Sequence, residues 1–372
     1  MKDPILKILN VTTIREWRGG DHQMYMIFKE LETKPNLKQF ILCPETSVLA
    51  QKCKNDGSAC FTYHRGRFKL ISLVKKIIHV VKSEKIDVIH VHDSSALNGA
   101  LVASYFLPAN VKIILSRKRN NRIAKKPLNY YKYSHPKITC IVSVSNAVAD
   151  IFADIIKDKE RLLTIYDAID VKSFSERPNQ MLLHQEYNLQ PDVKIIGNIA
   201  GLNDQKDLVT FIDTARKILE KSSRNSQIKF VLIGEGPLKL DLQEYAKSLN
   251  LENEIIFTGF RNNVADLLAE FDIFLLTSIN EGLPLTIYEA FAARVSVVAT
   301  DAGGIREVLV NGKTGFVTAI KDSDALSDRV LETLNNPELA ASMQHNAFEL
   351  VKNHHDLSNI RENYYNFYQS LR

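Results

Sequence analysis

Two glutamates, Glu281 and Glu289, stand in the segment Ser278-Ile279-Asn280-Glu281-Gly282-Leu283-Pro284-Leu285-Thr286-Ile287-Tyr288-Glu289-Ala290. The segment follows the apolar run Ile273–Leu276 directly, so Glu281 falls at a strand end. Pro284 suits the first turn of a helix, and Leu283–Ala293 reads as that helix, with Glu289 about two turns beyond Glu281. The first N–H groups of a helix have no internal acceptor and carry positive partial charge, which makes a seat for a diphosphate. The spacing of the two glutamates allows one carboxylate to reach a sugar hydroxyl while the other reaches a ribose. Taken alone, such a pair is equally a helix cap and a solvated glutamate.

Other residues with chemical potential also sit just after apolar runs. Gly303-Gly304 follows Val298-Ala299-Thr300-Asp301 and allows close approach of backbone to a ligand. Asn311-Gly312-Lys313-Thr314-Gly315 makes a tight turn before Phe316-Val317. Gly234-Glu235-Gly236-Pro237 is not a dinucleotide fingerprint, because the sixth position of that pattern is Lys239. His90 and His92 flank Val91 and precede Asp93; on a strand the two rings point the same way. His92 reads either as a group facing an acceptor or as a hydrogen-bonded strand-end histidine. A third metal ligand at useful spacing is not evident.

The elements that must carry these residues alternate along the whole chain. Strand-like runs are Ile8–Val11, Phe40–Cys43, Val88–Val91, Ile113–Leu115 and Ile141–Val144, then Ile195–Ile199, Phe230–Ile233, Ile255–Phe257, Ile273–Leu276 and Val295–Ala299. Helical periods such as Leu208–Leu219 and Leu238–Leu249 lie between them. Such alternation specifies parallel sheets covered by helices on both faces, and ligands bind beyond the carboxyl ends of their strands. The series occurs twice, with a joint near Asp167–Pro178, which divides the chain into domains at 1–168 and 169–354. The tail, Leu357–Leu371, reads as an aromatic amphipathic helix that either packs on the second domain or, over 355–372, crosses back to the first.

The 372 residues suffice for two domains with a core each, and 45% apolar with 24% charged residues is ordinary for a folded cytosolic protein. Charge is unevenly spread. Residues 1–170 carry 28 Lys/Arg against 16 Asp/Glu, a net +12, and the remainder carries 20 against 27, a net −7. The basic stretches His64–Lys85 and Arg117–Lys137, the second interleaved with Tyr130, Tyr131 and Tyr133, are either a solvated face or a surface for anionic lipid or a lipid-diphosphate acceptor. No helix-turn-helix, zinc or RNA-binding signature supports nucleic acid as a partner. Met1-Lys2-Asp3-Pro4 leads into too short an apolar stretch for a signal peptide, and no run approaches a membrane span. Cys43, Cys53, Cys60 and Cys140 form no Cys-x-x-Cys pair and read as reduced thiols.

The block from Ser278 to Phe316 resembles the signature region of the family 4 glycosyltransferases, with their Glu-x7-Glu motif. The resemblance extends over nearly the whole chain and implies an α/β GT-B fold, two Rossmann-like domains facing across a cleft. It implies transfer of a sugar from a nucleotide-diphosphate sugar (UDP or GDP) to an acceptor hydroxyl, with retention, without a metal or other cofactor. The acceptor is then a glycan or a lipid-linked sugar in bacterial polysaccharide or lipopolysaccharide assembly, at the inner face of the cytoplasmic membrane. Under this resemblance Glu281, Lys206 and His92 are catalytic. Gly19, Gly20, Gly234, Gly236, Phe260, Arg261, Gly282, Leu283, Pro284, Leu285 and Glu289 hold the donor, with Gly19-Gly20 as a loop near its phosphates. Lys206 matches the family lysine on the diphosphate, but the arginine usual five residues earlier is Gly201. The fourth front strand runs into Ser116-Arg117 where relatives often have a histidine, so Arg117 is the candidate substitute cation. A nucleotide-sugar epimerase of the same fold, and a catalytically weak binding or scaffold subunit, are the competing readings.

Overall fold

The computed structural model describes residues 4–222 and 227–372; Met1-Lys2-Asp3, at the head of the segment weighed as a signal peptide, lies outside them. Two compact units emerge, one of Met1–Asp167 with Leu357–Arg372 and one of Ala168–Asp356.

The first unit is built on β1 (Leu6–Val11), β2 (Leu37–Pro44), β3 (Cys60–Tyr63), β4 (Val88–Val91), β5 (Lys112–Arg117), β6 (Ile138–Ser143) and β7 (Leu162–Thr164). They pair in parallel in the order β3-β2-β1-β4-β5-β6-β7. The second unit has β8 (Lys194–Ile199), β9 (Ile228–Ile233), β10 (Ile255–Gly259), β11 (Ile273–Leu276), β12 (Ser296–Thr300) and β13 (Phe316–Thr318), parallel in the order β10-β9-β8-β11-β12-β13. In both sheets the chain reverses its direction of travel between the central pair, β1/β4 and β8/β11. There the connecting helices diverge to opposite faces and leave a crevice at the carboxyl ends of the strands. The central strands are mostly apolar because both faces are covered: Ile89, Val91, Ile273 and Leu275 are fully buried, and the polar side chains of Asn10, His90 and Asn198 are buried among them.

Strands β3, β7 and β13 were not among the strands expected from the sequence. All three lie at sheet edges, with one neighbour each, so they need no continuous apolar run and carry Thr62, Thr164 and Thr318. On one face of the first sheet, the helices Lys69–Glu84 and Ser94–Ser104 pack so closely that a Cβ on Gly99 would fall 2.6 Å from Leu73. The tail helix Leu357–Gln369 belongs to the first unit; Ile360, Tyr364 and Tyr368 are its buried side.

Candidate active site

In the second unit the loops after β8 and β11 meet at the reversal point. Asn203 caps the short turn Asp204–Lys206 by accepting from Gln205 N at 3.1 Å, and Asp207 takes a left-handed φ of 45°. The Thr277 hydroxyl lies 3.0 Å from the carbonyl oxygens of both Lys206 and Asp207, and Ile279 N donates to Gln205 O at 3.0 Å. These contacts hold the Lys206 side chain over the second loop, where its Nζ reaches Glu281 Oε1 at 2.6 Å. Glu281 is nearly buried, with a side-chain exposure of 8%, and Lys206 is half-buried at 19%. The Gly303-Gly304 loop joins them, because Gly304 N donates to Gly282 O at 3.1 Å.

The helix that follows runs from Leu285 to Ala292, shorter than the expected Leu283–Ala293. The cause is Pro284, the cap residue, with φ −76° and ψ 128°: a residue preceding proline is driven out of the helical region, so Leu283 cannot start the helix. Glu289 is on this helix, off the Glu281 loop, half-buried, and burial pushes its carboxyl up to about 7.

Gly234 and Gly236 serve the packing of loops. A Cβ on Gly234 would stand 1.9 Å from Ala200 O, and one on Gly236 2.2 Å from Leu202 O. Their segment therefore lies edge to edge with the β8 loop, joined by Leu202 N to Glu235 O at 3.0 Å, and with β10 by Gly234 N to Gly259 O at 2.9 Å. Next to it Phe260 is 71% exposed. Arg261 makes a two-pronged pair with Glu186, both contacts 2.8 Å, which holds that carboxylate below its ordinary range.

In the first unit, Asp93 clamps the crevice. It accepts from Thr13 N at 2.6 Å, from Thr13 Oγ1 at 2.9 Å, and from Ser95 N and Ala96 N at 2.9 Å, so one carboxylate ties the β1 loop to the start of a helix. His90, on β4, and His92, directly after it, have their rings 4.4 Å apart. His90 is fully buried between Tyr368 OH at 2.7 Å and Ser116 Oγ at 2.8 Å, and burial depresses it to about 3. His92 Nε2 lies 3.0 Å from Asn10 Oδ1. Among the described residues no group of three or more His, Cys, Asp or Glu is gathered to hold a metal, and the four cysteines are free thiols.

Two family models tile the chain: "Glycosyltransferase Family 4" over residues 17–173 and "Glycosyl transferases group 1" over residues 179–350. The chain is a family 4 glycosyltransferase. It is 26% identical over 288 residues to the N-acetyl-alpha-D-glucosaminyl L-malate synthase of Bacillus anthracis, covering 76% of this chain and 74% of that one. With the UDP-Gal:alpha-D-GlcNAc-diphosphoundecaprenol alpha-1,3-galactosyltransferase of Escherichia coli it shares 24% identity, over 87% of this chain and 89% of the relative. Among solved structures, Anabaena HepE in complex with UDP and glucose superposes with a TM-score of 0.83 at 19% identity, covering 98% of this chain and all of that one. The fold of the glycosyltransferase is GT-B.

Only some of the residues expected to act are gathered together. Lys206, Glu281, Gly282 and the helix begun by Leu285 come together, while Phe260, Arg261, Gly234 and Gly236 lie at the ends of the neighbouring strands β9 and β10. Gly19 and Gly20 form the first turn of the helix Gly19–Leu31, not a loop. Arg117 turns back on its own segment, donating to Arg119 O at 3.0 Å and Asn121 O at 2.8 Å. The cation beside Gly20 is instead Lys118. Its stem lies 3.4 Å from where a Gly20 Cβ would be, and its Nζ pairs with Asp167 at 2.5 Å, both side chains largely buried. Lys118 and the Asp93 clamp were missed. The basic run in which Lys118 stands offered no means of telling one cation from the next; Asp93, directly after the His-x-His pair and before Ser94-Ser95, carried a helix-cap signal.

Proposed function

We propose that this glycosyltransferase transfers a sugar from a UDP-sugar to a hydroxyl of a glycan or lipid-linked acceptor, with retention and without a metal, in the assembly of a bacterial surface polysaccharide or lipopolysaccharide. The second unit binds the nucleotide sugar and the first receives the acceptor. One contact carries the reading: the 2.6 Å pair of Lys206 and Glu281 at the reversal point of the second sheet, beside the start of the helix Leu285–Ala292. Diphosphate is a leaving group whose charge must be met as it departs. Lys206 supplies a cation whose charge Glu281 offsets in part, and the helix start supplies oriented N–H groups, the kind of preorganised stabilisation that a metal otherwise gives.

Glu281, engaged by Lys206, orients the donor sugar and is not a free nucleophile, which favours attack of the acceptor on the face the diphosphate leaves over a covalent intermediate. The departing diphosphate takes the acceptor proton. Glu289 receives the ribose, and the exposed Phe260 stacks on the base. HepE holds UDP and glucose, and the Escherichia coli relative acts on a diphosphoundecaprenol-linked sugar, which supports uracil as the base and a lipid-linked acceptor. The basic first unit then meets an anionic membrane surface from the cytoplasmic side. No helix among the described residues is long and apolar enough to cross a membrane.

The test is calorimetry with UDP-, GDP- and ADP-sugars in EDTA, on wild type and Glu289→Ala. Binding of one UDP-sugar that the substitution weakens about tenfold, the worth of one good hydrogen bond to a charged group, supports the reading. A folded protein that binds no donor, or binds only when a divalent metal is restored, refutes it.

A further inference from the structure

A buried chain of side chains across β2, β1 and β4 fixes which nitrogen of His92 carries the proton. It starts at an atom that can only accept: the carbonyl of Phe28 receives Gln39 Nε2 at 3.1 Å. The Gln39 amide is thereby oriented, and its Oε1 receives Asn10 Nδ2 at 3.3 Å. Asn10 is oriented in turn, and its Oδ1 faces His92 Nε2 at 3.0 Å. An amide oxygen cannot donate, so Nε2 carries the proton and Nδ1 keeps a lone pair. Asn10 and Gln39 are 3% and 7% exposed, so water does not scramble the chain.

At its far end Nδ1 is buried and has no hydrogen-bond partner among the described residues. A buried acceptor left unpaired is costly, and a fold that orders three side chains to create one calls for a reason. His90 does not supply the partner, since both its nitrogens are engaged by Tyr368 and Ser116. Burial, with His90 and Lys118 near by, holds His92 well below its ordinary range, so the ring stays neutral and the lone pair available. His92 directly follows β4, on the crevice of the first unit, and the residue as a whole retains some exposure.

We propose that His92 Nδ1 is a hydrogen-bond acceptor for a hydroxyl of a sugar-type ligand, and that Asn10 and Gln39 are positioning residues that set its tautomer. Such a site selects a neutral O–H. A phosphate or carboxylate, which brings only acceptors, meets no donor there. The inference rests on the reading of the protein as a sugar transferase, and the hydroxyl belongs either to the donor sugar or to the acceptor.

Two substitutions separate the ring nitrogens. His92→Asn puts an amide where Nδ1 was, and His92→Gln puts one where Nε2 was. With 15N-histidine label, wild type is expected to show His92 protonated on Nε2 and bare on Nδ1, and Asn10→Leu to show a mixture of tautomers. The Nδ1 signal moves with the UDP-sugar if the hydroxyl is the donor's, with free N-acetylglucosamine if it is the acceptor's, and with UDP alone in neither case. His92→Gln is expected to lower affinity for the responding sugar about tenfold, the loss of one hydrogen bond, while His92→Asn stays within about threefold. A histidine that served only to pair Asn10 gives the opposite order. That order, a proton on Nδ1 in wild type, or an Nδ1 signal that neither sugar moves overturns the inference. UDP binding retained through these outcomes leaves the nucleotide reading standing; its absence removes that reading separately.

Discussion

Burial holds the Glu289 carboxyl near 7 against an ordinary 4.5, and that has a consequence for stability before any ligand is bound. An acid whose folded value is raised is at no disadvantage below its ordinary value, where it is protonated in both states. As pH rises past 4.5 the unfolded chain ionises first, and stability is lost until the folded value is passed. Replacement by glutamine removes the titration and keeps the shape. Glu289→Gln should therefore melt with wild type near pH 5 and above it at pH 8, by on the order of 2–3 kcal/mol. Thermal melts across that range are the check, and a constant gap between the two proteins would show that the carboxyl is not raised. At this scale the sequence conveyed residue types and order along the chain, enough to single out Lys206 and Glu281, which now prove to be in contact. It could not convey direction. Arg117 and Lys118 are adjacent cations of similar reach, and only the course of the β5 loop turns one onto its own carbonyls and the other onto Asp167.

Between residue and fold stand the loops at the strand ends, whose spacing is fixed by the backbone contacts of Gly234 and Gly236 with Ala200 and Leu202. These glycines resemble a ligand cradle in sequence, and the structure gives them a packing role that no single-chain pattern distinguishes from it. The strands themselves were legible wherever both faces are buried, since continuous Val/Ile/Leu runs have few other uses. They were illegible at the edge strands β3, β7 and β13, which are short and mix polar and apolar residues, though the edge strand β10 was still legible in Ile255–Phe257. The helix Leu285–Ala292 starts later than its apolar pattern because Pro284 holds Leu283 out of the helical region. Gly201 differs from its neighbouring glycines. Its φ is not left-handed, and an added Cβ would meet only the flexible Asn203 Nδ2 at 3.3 Å and Glu235 O at 3.9 Å. The loop therefore accepts a side chain at the position where the family usually carries its second phosphate cation. Gly201→Arg should fold as wild type and tighten UDP binding about tenfold or more, as one added charge-assisted contact implies. Calorimetry in parallel with wild type decides it; unchanged affinity in a folded variant would mean that the diphosphate does not lie over this loop.

Across the molecule charge is divided between +12 in residues 1–170 and −7 in the rest, and within the basic half it is concentrated further. Residues 64–137 hold sixteen Lys/Arg and three Asp/Glu. One of those acids, Asp93, is spent on the Thr13 clamp. Amid these cations the helix Lys69–Glu84 starts with apolar side chains that the core does not use. Phe68, Leu70 and Ile71 are 68%, 44% and 54% exposed, whereas Leu73 and Ile77 on the packed side are buried. Arg67 lies over the Phe68 ring, 5.8 Å from its centroid, and Lys69 adjoins it in sequence. If the first unit meets an anionic membrane, both kinds of group contribute: about 1 kcal/mol for each cation near the surface, and about 1.5–3 kcal/mol for each large apolar side chain fully buried. The two contributions are separable. Raising salt screens the first and leaves the second. The protein should therefore cosediment with vesicles containing phosphatidylglycerol, weakly or not at all with phosphatidylcholine alone, and release progressively with salt. Phe68→Ser with Leu70→Ser and Ile71→Ser should reduce partitioning at least about tenfold, since even partial burial of three such side chains exceeds 1.4 kcal/mol. UDP-sugar binding by this variant should be unaffected, because all three side chains belong to the first unit and none contributes to the Lys206–Glu281 pair. Equal sedimentation of variant and wild type would assign the attraction to charge alone, and equal sedimentation with neutral lipid would remove the membrane from the reading altogether.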